Sequence, residues 1–204
     1  MASDLKKQTK KGLYWKFADQ FSSYGMQFIV GIFMARMLSP ADYGITALPA
    51  VFMMVGGIFA SAGFGQAMVR KPELTEKDLA TAFYYSLSVG VVIYILLFMA
   101  SPWIADFYNV PVLTPLIRVT ALSFIYGPLG TPQQIILQRK LDFKTPTAIA
   151  VVTRIISGVI GIYMAYHGYG VWALTISALV SGLSGQLIVM YFVRWYPKTG
   201  WSKE

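Results

Sequence analysis

Leu79-Ala-Thr-Ala-Phe-Tyr-Tyr-Ser-Leu-Ser-Val-Gly-Val-Val-Ile-Tyr-Ile-Leu-Leu-Phe-Met-Ala100 contains no charged side chain. As a helix it would extend about 33 Å at 1.5 Å per residue, enough to cross roughly 30 Å of hydrocarbon. Arg70, Lys71 and Lys77 stand before it, whereas the following turn, Ser101–Val112, has neither Lys nor Arg. A basic approach and a basic-free exit are the charge pattern of a span that starts on the cytoplasmic side.

The same pattern extends in both directions along the chain. The remaining basic clusters are Lys6, Lys7, Lys10, Lys11 and Lys16, then Arg139, Lys140 and Lys144, then Arg194, Lys198 and Lys203. Successive clusters are separated by enough chain for two crossings and a short turn. The turns between crossings, Leu38–Gly44 and Tyr166–Gly170, are also free of Lys and Arg. The reading is an all-α membrane protein with six transmembrane helices and both termini inside. The expected spans are Phe17–Leu38, Tyr43–Val69, Leu79–Ala100, Val112–Leu137, Thr147–Tyr166 and Val171–Trp195. Residues 1–16 form a basic cytoplasmic start, 17–195 a six-helix lobe and 196–204 a cytoplasmic tail. Asp19, Gln20, Ser22, Ser23 and Gln27 interrupt the first apolar run, so it does not read as a cleavable signal peptide.

Composition supports a lipid-embedded chain: 56% hydrophobic and 13% charged residues, against about 25% charged in soluble domains. The net charge of +8 is assigned to anionic headgroups. Nucleic acid is not expected as a partner, because no basic stripe is interleaved with exposed aromatics. The chain has no Cys and one His, which leaves no disulfide, thiolate site or zinc constellation. No Walker-type glycine loop is present. Neither a cofactor, a metal nor enzymatic chemistry is expected. Trp15, Trp103, Tyr108, Trp172, Trp195 and Trp201 lie near span ends and read as headgroup anchors.

Within the spans, Gly57, Ser61 and Gly65, then Ser157 and Gly161, then Ala178, Ser181, Gly182 and Gly185 form small-residue stripes that predict close helix packing. Pro49 falls in the second span and Pro115, Pro128 and Pro132 in the fourth, which predicts a bent fourth span. Gly31-Ile-Phe-Met-Ala35 and Asp42-Tyr-Gly-Ile-Thr-Ala-Leu48 recur as Gly161-Ile-Tyr-Met-Ala165 and Gly168-Tyr-Gly-Val-Trp-Ala-Leu174. That repetition suggests a parallel relation between the first and third hairpins, chance likeness of glycine-rich helices being the alternative.

Ionisable groups inside spans are costly, at least about 2.5 kcal/mol for a central Arg on insertion scales, and mark candidate function. Arg118 and Arg154 are the candidates for an anion site, because a guanidinium grips phosphate in bidentate fashion; snorkelling to an interface or pairing with Asp19 or a carbonyl is the alternative. Asp19, with Gln20, Tyr24 and Gln27 nearby, could hold a coupling cation, pair with Arg154 or sit at the inner headgroups. Arg36 and Asp42 flank the first outer turn and could pair across it. Gln66, Gln133, Gln134 and Gln186 are candidates for sugar hydroxyls, or for hydrogen bonds between helices. His167 reads as an exposed turn residue.

Ala35-Arg-Met-Leu-Ser-Pro-Ala-Asp-Tyr-Gly44, Ile104-Ala-Asp-Phe-Tyr108, Leu116-Ile-Arg-Val-Thr-Ala-Leu122, Leu137-Gln-Arg-Lys-Leu-Asp-Phe-Lys144 and Gly168-Tyr-Gly-Val-Trp-Ala-Leu174 resemble the bacterial polysaccharide (O-antigen type) flippases. These belong to the multidrug/oligosaccharidyl-lipid/polysaccharide exporter superfamily. The resemblance implies transport of an undecaprenyl-pyrophosphate-linked oligosaccharide across the bacterial inner membrane by alternating access, with a cationic central cavity for the pyrophosphate. Arg118 matches the basic position of the family's fourth-span motif; Arg154 follows only from the general expectation of a basic cavity. Family members have twelve or more spans in two lobes, so this chain looks like the amino-terminal lobe, with Tyr196–Glu204 resembling the inter-lobe connection. The implied partners are the lipid-linked oligosaccharide, membrane lipids and a second lobe, supplied by homodimerisation or a separate chain. Two other classes stay open: half of a cation-coupled drug exporter, and a non-transporting scaffold of a glycan-assembly complex.

Overall fold

The computed structural model describes residues 20–195 apart from 22, 62–67, 70, 72, 141 and 143. The described residues form helices and connecting turns, with no strand among them. Helix α1 covers residues 23–37, α2 Pro40–Ser61 and α3 Glu76–Tyr108. A broken run follows: α4 (Leu113–Ala121), α5 (Ser123–Tyr126), a 3-10 turn at Gly127–Gly130 and α6 (Thr131–Arg139). Helices α7 (Lys144–Tyr166) and α8 (Val171–Val193) complete the bundle. The chain is a multi-pass helical membrane protein, and α2, α3, α7 and α8 are each long and apolar enough to cross a bilayer.

The fourth expected span is not one helix. Pro128 cannot donate to the carbonyl of Phe124, and Pro132 cannot donate to that of Pro128, so the α-helical ladder fails twice within one turn and a half. Thr131 N–H takes up the Pro128 carbonyl. The carbonyl of Phe124 lies instead against α3, where an ideal Cβ on Gly90 would sit 2.0 Å from it. Only a residue without Cβ admits that approach. The Phe124 ring fills the space beside Gly56 of α2 and Ile93 of α3. Proline and glycine are thus matched across the α3–α5 contact.

The helix ends are fixed by capping that the sequence carries as Ser/Thr-x-x-Asp. At α2, Ser39 N–H and Oγ donate to Asp42 Oδ2 at 2.9 and 2.7 Å, with Pro40 at the first helical position. At α3, Thr75 N–H donates to Asp78 Oδ2 at 2.9 Å while Asp78 N–H donates to Thr75 Oγ1 at 3.2 Å. Lys71 adds an ion pair to Asp78 at 2.8 Å. Arg139, at the end of α6, donates to the carbonyls of Met68 and Lys71 and so ties that connection to the broken run.

At the start of α7 the Asp142 carboxylate accepts from Lys144 N–H and Thr145 N–H, both at 3.1 Å, and from Thr145 Oγ1 at 2.6 Å. Partial burial works against its charge, but the hydrogen bonds from Thr145 and Lys144 and the Lys144 charge outweigh it and hold the carboxyl below its ordinary range. Its contribution is therefore present above the unfolded-state carboxylate pKa, about 3.9, and is lost as pH falls through the lower folded value. Asp142→Ala is expected to cost about 1 kcal/mol, read as faster amide exchange at Lys144 and Thr145; unchanged exchange there would contradict the cap.

The repeated segments meet. Met34 of α1 and Leu38, just beyond its end, pack with Ala165 of α7 and Ala173 of α8, and a Cβ on Gly161 would lie 2.5 Å from Met34 Cε. At the turns, a Cβ on Gly170 (φ +51°) would meet Asp42 Oδ1 at 3.1 Å. Of the small-residue stripes, Gly161 and Gly182 sit in close contacts, the latter 2.4 Å from Tyr126 Oη when given a Cβ. In α2 the close residue is Gly56, whereas Gly57 faces open space; Gly65 lies outside the described residues.

Candidate functional site

Two cavities open between the helices. The smaller, about 270 Å³, lies between α1, α7 and α8 and is lined by Arg154 with Ser23, Gln27, Ser157, Gly158 and Ser177. Arg154 is seven residues beyond Thr147, where the apolar run of α7 begins, about 10 Å along the axis and so about a third of the way across the hydrocarbon. Its neighbours there are the hydroxyls of Ser23, Ser157 and Ser177, the Gln27 amide and Gly158, with Met26 and Val30 supplying apolar surface. The Ser157 and Ser177 hydroxyls donate to Arg154 O and Leu174 O at 3.2 and 2.9 Å, so each would donate to an anion only by turning its proton from that carbonyl. A guanidinium at this depth with polar lining is a site suited to an oxyanion.

The larger cavity, about 740 Å³, lies between α6, α7 and α8 towards the end of the bundle that carries the basic connections. Gln134, Gln138 and Gln186 supply amides to it, Thr153 and Ser181 hydroxyls, and Leu137 and Val189 apolar surface. Gln186 passes over bare Gly130, where a Cβ would fall 1.6 Å from its Oε1. Three amides with no basic group in the lining suit neutral hydroxylated ligands better than anions.

Arg118 lines neither cavity. Its Nε donates to Ser101 Oγ at 3.0 Å, and its guanidinium carbon lies 4.0 Å from the centre of the Phe98 ring. The two arginines singled out in the sequence are therefore not neighbours in one vestibule: Arg154 faces α1 and α8, and Arg118 lies against Ser101 and Phe98 near the far end of α3. Gln133 is buried and donates from Nε2 to Trp195 O at 3.1 Å, joining α6 to the end of α8, and its Oε1 has no partner. Gln134 does reach the larger cavity. Asp19 and Gln66 lie outside the described residues.

Arg36 is exposed, and the pairing with Asp42 foreseen across the turn does not form, because the Asp42 carboxylate is committed to capping Ser39. His167 is exposed, as expected, and its Nδ1 lies 2.8 Å from Tyr163 O. Trp103 is 71% exposed near the end of α3, as an anchor should be. Trp195 instead packs beside Leu79 and Ile135. Gln138 was missed as a candidate, although its four-residue spacing from Gln134 on one helix face was readable.

A multi-pass all-helical bundle with a partly polar cavity around a half-buried arginine is the class these features define. The sequence model of the polysaccharide biosynthesis protein family matches residues 33–204, and the chain belongs to that polysaccharide biosynthesis and flippase family. It is similar to the teichuronic acid biosynthesis protein TuaB of Bacillus subtilis (strain 168), 26% identical over 153 residues that cover 75% of this chain and 32% of that protein. The lipopolysaccharide biosynthesis protein WzxC of Escherichia coli (strain K12) is 23% identical over 140 residues, 69% of this chain and 28% of that one. The succinoglycan biosynthesis transport protein ExoT of Rhizobium meliloti (strain 1021) is 22% identical over 177 residues, 87% and 36% respectively. The chain thus spans about a third of the length of the curated relatives it matches. No solved structure matches it.

Proposed function

We propose that this chain is the amino-terminal six-helix lobe, with both termini inside, of a transporter that moves an undecaprenyl-pyrophosphate-linked oligosaccharide across the bacterial inner membrane for surface polysaccharide synthesis. The observation that carries the reading is Arg154, about two turns inside its span, in a cavity that Ser23, Gln27, Ser157 and Ser177 also line. Pyrophosphate is the part of such a lipid that hydrocarbon rejects most strongly, and a guanidinium with hydroxyl neighbours replaces its water. The amide-lined larger cavity offers the sugar hydroxyls hydrogen bonds through Gln134, Gln138 and Gln186. The relatives' printed roles in teichuronic acid, lipopolysaccharide and succinoglycan biosynthesis agree with a glycan cargo.

Alternating access needs two bodies that rock about a shared site, so activity requires a second lobe. Complementation of a flippase-deficient strain tests this. Surface polysaccharide is expected to return when the chain is expressed with a carboxy-terminal lobe; restoration by a chain shown to act as a monomer would contradict the two-lobe requirement, and no restoration with any lobe would contradict transport.

A further inference from the structure

We infer that Arg118, held by Ser101 and Phe98 where α3 leaves the hydrocarbon, is a binding site for the phosphate group of a lipid in the leaflet opposite the basic connections. The inference deepens the transport reading by placing a second phosphate contact on the far side of the membrane, yet it requires only that the chain be membrane-embedded.

The local sequence dictates the geometry. Pro102 has no N–H to give to the carbonyl of Phe98. Ser101 Oγ donates to that carbonyl instead, at 2.8 Å, and in turn accepts from Arg118 Nε at 3.0 Å. Thr114 Oγ1, one turn earlier on α4, donates to Ser101 O at 3.4 Å. Ser101 is fully buried, so the Nε anchor is rigid. The Phe98 ring, 4.0 Å from the guanidinium carbon, fixes a second side of the group.

A guanidinium has five N–H donors, and this one uses a single donor within the protein. Among the described residues its contacts are Ser101 and Phe98, with no carboxylate. The two terminal nitrogens therefore form a pre-oriented fork, the arrangement that takes an oxyanion through two parallel hydrogen bonds.

Depth and surroundings identify the anion. From Leu79, where the apolar run begins, Ser101 is about 33 Å along α3 at 1.5 Å per residue, against roughly 30 Å of hydrocarbon. Arg118 is thus level with the far headgroups, where the cost of its charge is small. The adjoining flank of α3 is open: Phe98 is 39% exposed, Met99 61% and Trp103 71%. Phosphoesters and phosphoanhydrides of lipids populate that layer beside such a flank.

Solid-state NMR of the full chain in bilayers reads the contact directly. Protein carrying ¹³C,¹⁵N-arginine is compared with Arg118→Lys, which keeps the cation and deletes only the Arg118 signal, and dephasing of the guanidinium carbon by ³¹P is measured. Three bilayers separate the sources: phosphatidylglycerol, a phosphate-free glycolipid with undecaprenyl pyrophosphate, and the same glycolipid with inorganic phosphate. We expect Arg118 dephasing in one or both lipid-phosphate bilayers, and its loss in Ser101→Ala, where Nε has no anchor. Dephasing in the first assigns a glycerophospholipid, in the second alone the carrier lipid. No dephasing in any bilayer, or dephasing with inorganic phosphate alone, would overturn the inference. Failure of the transport assays with dephasing intact would count against the transport reading and leave this site standing.

Discussion

Arg154→Ala is expected to weaken binding of an undecaprenyl-pyrophosphate oligosaccharide to the assembled two-lobe transporter by about ten- to a hundredfold. A hydrogen bond to a charged group contributes about 1.5–3 kcal/mol, and each 1.4 kcal/mol is about tenfold in affinity. The estimate applies because Arg154 stands in a cavity among Ser23, Gln27, Ser157 and Ser177, not against acyl chains. Arg154→Lys keeps the charge but loses the planar fork, so it should fall between wild type and the alanine variant. The readout is a titration with the pyrophosphate-linked lipid beside one with undecaprenol, the neutral alcohol of the same isoprenoid chain. A decrease confined to the pyrophosphate form is the expected result; equal loss for both would show a general packing defect, and no loss would remove Arg154 from the site.

Gly90→Ala should destabilise the bundle by about 1–3 kcal/mol, the range for overpacked cores. The added Cβ would fall 2.0 Å from Phe124 O and 3.0 Å from Phe124 C. The obstacle is backbone and cannot rotate away, so α3 and the broken run must separate. That movement also loosens Phe124 from Gly56 and Ile93. Gly57→Ala is the matched comparison, because its Cβ meets nothing within 4 Å and alanine favours a helix by up to about 1 kcal/mol over glycine. Thermal unfolding in detergent should therefore move in opposite directions for the two variants. A neutral Gly90→Ala would contradict the close α3–α5 approach.

The contrast between these two glycines shows what the sequence carried and what it did not. A four-residue stripe through Gly57 marks a face of α2 by periodicity alone, but periodicity does not say which neighbouring helix arrives, and Phe124 arrives at Gly56. The proline content of the fourth span did foretell its bend, because a missing N–H is a local fact. Where each freed carbonyl goes is a tertiary fact: Phe124 O goes to Gly90 and Phe98 O to Ser101.

Depth was legible in the same local way. The basic clusters and apolar runs put both arginines within spans, Arg154 about two turns from the inner end of the fifth and Arg118 about a turn and a half from the outer end of the fourth. Lateral position was not. Both arginines read as members of one cationic cavity, yet Arg118 turns to Phe98 and Ser101 across the Pro102 break, and only Arg154 lines a cavity. The glutamines divide similarly, since Gln133 and Gln134 are adjacent in sequence and therefore point about 100° apart on α6, one into the helix contacts and the other into the larger cavity. The capping boxes at Ser39 and Thr75 were readable throughout.

The central claim is that the space around Arg154 is wet and receives the cargo's charged head. Because this chain has no cysteine, Ser157→Cys gives it a single thiol in that cavity, and its labelling by a charged, water-borne thiol reagent can be followed against the same assembly without the substitution. The account predicts that Cys at this position reacts in the assembled transporter and is protected by undecaprenyl-pyrophosphate oligosaccharide. A thiol that stays unreactive, or that reacts equally with the lipid-linked cargo present, would contradict it.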